Sequence, residues 1–154
     1  MISEEYIRLE GLQLFKTDIA DSCGIFNNSV GTGECRISYC IVRGPGKSAG
    51  SENAFYLNAS NISVLMWNNV VYDFYRGFRN YNTGSAYLYN NTVDNCGDGY
   101  QTVPSSIVLK NNTAQNCTDG FNGTFNASSD YNISDISGDA PNTGGSGNDN
   151  TASP

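Results

Sequence analysis

Histidine is absent from this chain, and cations are scarce: eight Lys and Arg stand against fifteen Asp and Glu, a net charge of -7. Without imidazole, His-bearing metal sites, Ser-His-Asp triads and Cys-His dyads within the chain are excluded. An acidic domain without clustered cations is poorly matched to a phosphate backbone, so no nucleic-acid partner is expected. Nor is membrane insertion expected, because no apolar run approaches the ~20 residues that span a bilayer. The start, MISEEYIRLE, lacks a basic segment followed by an apolar one, so no signal peptide is visible. An apolar pattern begins almost at once, at Tyr6-Ile7-Arg8-Leu9, which suggests a piece cut from a longer protein. The five Cys are an odd number and form no CxxC; with no His, a zinc site would need four of them.

Only 15% of the residues are charged, against about 25% in an ordinary domain. Asn, Gly, Ser and Thr take their place, supplying 65 of the 154 residues. That length is the size of one domain.

The strongest signal is a repeat. Met66-Trp67-Asn68-Asn69-Val70-Val71, Leu88-Tyr89-Asn90-Asn91-Thr92-Val93 and Leu109-Lys110-Asn111-Asn112-Thr113-Ala114 align without gaps, at periods of 22 and 21 residues. Each is followed at the same distance by Gly and an aromatic: Gly77-Phe78, Gly99-Tyr100 and Gly120-Phe121. Looser copies start at Leu9 and Ile37, and a partial one lies at Tyr131-Asn132-Ile133. Repeats of this length mean a solenoid. The apolar runs are short, β-branched and aromatic, so they are strands rather than helices. Two apolar positions five apart, such as Leu88 and Val93, can both face inward only if the chain turns between them. The Asn-Asn pair sits there, and Asn tolerates the left-handed conformation of a corner. The fold class is therefore all-β, a solenoid of about five to six coils spanning 1–136, with a flexible Gly/Asn/Ser-rich tail over 137–154.

Stacked coils place equivalent residues about 4.8 Å apart. Asn68, Asn90 and Asn111 then form one line, with amides expected to bond along the axis. Phe74, Cys96 and Cys117 form a second line, and Phe78, Tyr100 and Phe121 a third. Mostly free, buried thiols are expected.

The Asn-Asn-Thr-Val/Ala and Cys-x-Asp-Gly-Tyr/Phe units resemble those of the right-handed parallel β-helix, or pectate-lyase-like, family over roughly residues 6–136. The resemblance implies a right-handed winding. It leaves function open, because that fold serves lyases, hydrolases, phage tailspikes, adhesins and structural proteins. Pectate lyases use acidic calcium ligands and an Arg base. Arg43, Arg76 and Arg79 are available here, with Asp73, Asp94 and Asp98 as acids, but no lyase motif maps onto them.

Two candidate surfaces follow. If Met66, Leu88 and Leu109 face inward, then Leu65 and Trp67, Tyr87 and Tyr89, and Val108 and Lys110 face out. They stack into an aromatic patch of the kind that contacts sugars or partner proteins. A missing segment of the parent chain, or the tail, is the competing explanation for such a patch. Trp67, Tyr87, Tyr89 and Lys110 are the expected ligand-binding residues. Secondly, Arg76, Asp98 and Asp119 share one line. Paired carboxylates there could act as in glycosidases or share a calcium ion. Asp-Gly is also a turn signature, which favours a plain charge ladder at turns. Nine Asn-x-Ser/Thr sequons are expected from the repeat itself and carry no weight. The leading expectation is a non-catalytic extracellular or virion-type module binding polysaccharide or a neighbouring protein chain. The alternative is a polysaccharide lyase or glycoside hydrolase.

Overall fold

Alternating β-branched and aromatic residues with Asn-rich punctuation produce short strands throughout the computed structural model. It describes residues 6–17, 23–27, 32–47, 50–58, 61–81, 84–103, 107–136 and 138–141. Each winding of the chain contributes three strands. The first winding gives β1 (Tyr6–Glu10), β2 (Gln13–Phe15) and β3 (Cys23–Asn27). The second gives β4 (Glu34–Ser38), β5 (Ile41–Arg43) and β6 (Asn53–Leu57). The third gives β7 (Ser63–Trp67), β8 (Val70–Tyr72) and β9 (Arg76–Asn80). The fourth gives β10 (Ser85–Tyr89), β11 (Thr92–Asp94) and β12 (Asp98–Thr102). The fifth gives β13 (Ile107–Lys110), β14 (Thr113–Gln115) and β15 (Asp119–Gly123), and β16 (Ile133–Ser134) begins a sixth.

Strands of equal rank stack into three parallel sheets: β1-β4-β7-β10-β13, β2-β5-β8-β11-β14-β16 and β3-β6-β9-β12-β15. The chain is an all-β parallel solenoid. Neighbours within one sheet are joined through the other two, a parallel crossover whose right-handed sense is favoured by strand twist. Register follows the repeat: Leu9, Ile37, Met66, Leu88 and Leu109 are successive partners in the first sheet. In the second sheet Leu14, Val42, Val71, Val93 and Ala114 are partners. The third contributes a pile of rings, Phe55, Phe78, Tyr100 and Phe121, at centroid separations of 4.8, 5.2 and 4.9 Å and nearly parallel. Phe125 ends the pile edge-on against Phe121. The core is therefore a set of like-on-like columns running the length of the axis.

The corner between the first two sheets is left-handed at every turn. Tyr39, Asn68, Asn90, Asn111 and Tyr131 have φ between 54° and 56°, and Gly11 has φ 68°. The expected amide ladder is real but lies one residue later. Asn69, Asn91, Asn112 and Asn132 are the buried members. Asn69 Nδ2 donates to Asn91 Oδ1 (2.9 Å), Asn91 Nδ2 to Asn112 Oδ1 (3.1 Å) and Asn112 Nδ2 to Asn132 Oδ1 (3.0 Å). Asn68, Asn90 and Asn111 do not form it. Their positive φ makes the bend and leaves the following side chain to point inward.

Phe74 and Cys96 are buried and Cys117 half-buried along one line, and all five thiols are free. Burial pushes the thiols of Cys35 and Cys117 up to about 11. Part of the expected tail docks on the last winding: Ala140 is buried, and Asp139 accepts the Phe121 N–H (3.2 Å) and the Ser134 hydroxyl (2.6 Å). Residues 142–154 lie outside those described.

Candidate functional site

Period-two alternation on the first sheet buries Val64 and Met66, Ala86 and Leu88, and Ile107 and Leu109. Ser63, Leu65 and Trp67 of β7 are turned outward, as are Ser85, Tyr87 and Tyr89 of β10. Register brings all four expected ligand-binding residues onto this one face. Trp67, Tyr89 and Lys110 are successive partners in one column, and Leu65, Tyr87 and Val108 in the next, but Val108, expected to be on the open face, is buried. Arg8 and Arg36 extend the second column across the earlier windings, and Glu10 and Ser38 extend the first. Both guanidinium groups are already paired, Arg8 with Glu10 (2.7 Å) and Arg36 with Glu34 (2.5 Å). Trp67, Tyr87 and Tyr89 are half-buried, Lys110 is exposed, and the Tyr87 and Tyr89 rings lie 6.4 Å apart at 40°. Burial, and then the neighbouring Tyr87, push the Tyr89 phenol up.

At the N-terminal end of β7 and β10 a cleft of about 360 Å³ opens between Thr32, Asn61, Ser63, Ser85 and Tyr87. Sequence reasoning did not find it. The available signal was the recurrence of Ser63 and Ser85 two residues ahead of outward apolar positions.

The acidic line lies on the third sheet, so it is a separate face. Arg76, Asp98 and Asp119 are register partners there. Asp98 and Asp119 open strands β12 and β15 rather than occupying turns, which corrects the turn reading of Asp-Gly. Asp98 is held by Arg76 Nε (3.6 Å), by Gln101 Nε2 (2.8 Å) and by Asn122 Nδ2 (3.2 Å). Asp119 has the opposite surroundings. Burial, then a hydrogen bond and repulsion from Asp139, then the Asp98 charge lift its carboxyl to about 6, although the Phe121 N–H works the other way. Asp139 belongs to this group and went unnoticed, because it lies in a polar stretch without periodicity.

The remaining candidates are dispersed. Arg43 pairs with Asp73 (3.5 Å) and lies over the Phe15 and Tyr72 rings at the second sheet. Asp73 and Asp94 accept from Asn95 and Asn116 at the following corner. Arg79 lies over the Tyr56 and Tyr81 rings. Among the described residues, no group of three or more Cys, Asp or Glu side chains is arranged to hold a metal ion. Set beside known proteins, the chain matches no known family, no curated protein and no solved structure.

Proposed function

We propose that this solenoid is a non-catalytic binding module of an extracellular or virion-type surface, engaging polysaccharide through the outward face of its first sheet. One observation carries the reading: Trp67-Tyr89-Lys110 and Leu65-Tyr87-Val108 stand in register on consecutive rungs. The result is a strip of Leu65, Trp67, Tyr87 and Tyr89 side chains on adjacent rungs of a parallel sheet, with Lys110 exposed on the next rung. Trp and Tyr rings offer a flat apolar face and a polar edge, which suits the C–H face and hydroxyls of a sugar. Glycan-array binding is the test. Binding should survive Asp98→Ala and Asp119→Ala, and Trp67→Ala should weaken it about 30-fold, the ~2 kcal/mol of an interface anchor. Binding indifferent to Trp67 defeats the proposal.

A second reading, polysaccharide lyase or hydrolase, is favoured by one specific contrast. Asp98 is held by two amide donors and the Arg76 charge, while Asp119 is lifted to about 6. Carboxyls whose surroundings push them apart in this way suit an acid and its partner. Adjacent rungs at about 4.8 Å also approach the ~5–5.5 Å of retaining glycosidases. Release of reducing or unsaturated sugar ends, abolished by Asp98→Asn or Asp119→Asn, supports that reading. No release from a panel of polysaccharides removes it.

A further inference from the structure

We infer that the cleft between Thr32, Asn61, Ser63, Ser85 and Tyr87 is the end subsite of the aromatic face and takes an uncharged sugar unit. The inference rests on the proposed glycan reading of that face and names the class of sugar it accepts.

The cleft and the strip are continuous along β7 and β10 and share Tyr87. Ser63, Leu65 and Trp67 alternate outward along β7, and Ser85, Tyr87 and Tyr89 do so along β10. Tyr87 belongs to both the cleft lining and the ring strip. From Trp67 to Ser63 the path is four residues, about 13 Å at the rise of a parallel strand. A short run of sugar units laid along the strands would therefore cross the rings and end among the hydroxyls. The volume of about 360 Å³ falls within the ~300–1,000 Å³ of small-ligand clefts.

The chemistry of the lining selects the ligand. Among the described residues, the polar side chains that line it are hydroxyls and one amide, and none carries a charge. Thr32 and Asn61 are exposed and Ser63 and Ser85 half-buried, so their polar ends face the cleft's solvent. Hydroxyl rotors both donate and accept, as sugar hydroxyls do, so each can meet a partner of either kind. A uronate or sulfate entering the same cleft would lose water without gaining a counter-charge, which is costly. The nearest candidate in register, Glu34 beside Ser63, is acidic and already engaged by Arg36.

Calorimetric titration of the full chain with cellohexaose, maltohexaose, chitohexaose and hexagalacturonate tests this. The variants are Trp67→Ala and the pair Ser63→Ala with Ser85→Ala, each with its urea midpoint measured to confirm folding. The expected result is that at least one neutral hexasaccharide binds more tightly than hexagalacturonate, and that the double Ser variant weakens it at least tenfold with the urea midpoint unchanged. If hexagalacturonate binds best, or if Trp67→Ala abolishes binding while the Ser pair leaves it intact, the subsite assignment is overturned and the aromatic face stands. If no hexasaccharide binds, the glycan reading of the face falls and takes the subsite with it.

Discussion

Asn90 is exposed at φ 54°, and the next residue, Asn91, is buried and bonded on both sides. Asn91 Nδ2 donates to the Met66 carbonyl (3.1 Å) and to Asn112, while its Oδ1 accepts the Asn69 backbone N–H (3.0 Å) and side-chain amide. Truncation to Ala orphans several buried groups. At ~1–3 kcal/mol each, Asn91→Ala should cost about 4 kcal/mol. Asn90→Ala should cost only the left-handed penalty of about 1–2 kcal/mol, and Asn90→Gly should be nearly neutral. Urea midpoints of the three variants check the order, and equal losses at 90 and 91 would refute the division of labour. The sequence marks the pair but not which member turns inward, because that depends on a single dihedral sign. Asp119 gives a second residue-level expectation. Its carboxyl is raised to about 6 from an ordinary 3.8, so between those values the folded chain binds more protons than the unfolded one. Stability then falls as pH rises through this window. Asp119→Asn should raise the melting temperature above the wild-type value at pH 7 and leave it little changed at pH 3.5. A constant offset across both pH values speaks against the carboxylate repulsion.

Strands β9, β12 and β15 each carry a Gly before the stacked ring, where β6 has Ala54 before Phe55, and in β9 and β12 the reason is close approach rather than a turn. A Cβ on Gly77 would sit 2.6 Å from the Gly99 carbonyl oxygen, and one on Gly99 would sit 2.6 Å from that of Gly120. These are backbone atoms of the next rung and cannot swing away. Gly99→Ala must therefore pry β12 from β15 and disturb the Tyr100 ring lying 4.9 Å from Phe121. A loss of about 3 kcal/mol is expected, the upper end of ordinary overpacking. Thermal unfolding measures it, and a variant as stable as wild type shows that the rungs separate more easily than their spacing implies. The Gly-aromatic pair was plain in the sequence. Its strand setting was not, because Asp-Gly carries the same letters in a turn as at a strand opening, and only the neighbouring rung distinguishes them. The outward columns were easier to read, since one inward residue, Leu88, fixes the direction of Tyr87 and Tyr89 by alternation.

At the scale of the whole molecule, the 21–22-residue period is sufficient to give the stack, because the columns require like residues to meet. The closing of the last winding was not legible: Phe125 and Asp139 cap the stack from segments with no repeat of their own. A stack of this kind has near-neighbour energetics, in which each winding is held mainly by the two beside it. The Leu9-Ile37-Met66-Leu88-Leu109 column tests that directly, since one side chain chemistry recurs at an end and in the middle. Leu88 is 1% exposed with neighbours above and below, whereas Leu9 is only half-buried against the core. Leu88→Ala should cost about 3 kcal/mol, within the usual range for a buried Leu. Leu9→Ala should cost about 1 kcal/mol or less, because a partly exposed side chain leaves a smaller cavity. The single tryptophan, Trp67, reports from the third winding, and far-UV circular dichroism reports on all strands together. In urea both signals should shift together for Leu88→Ala. For Leu9→Ala the main transition should barely move, while amide hydrogen exchange in β1 quickens and that in β10 does not. Comparable shifts for the two variants would mean that the end windings are held as firmly as the middle ones, which a stack coupled only to its neighbours does not permit.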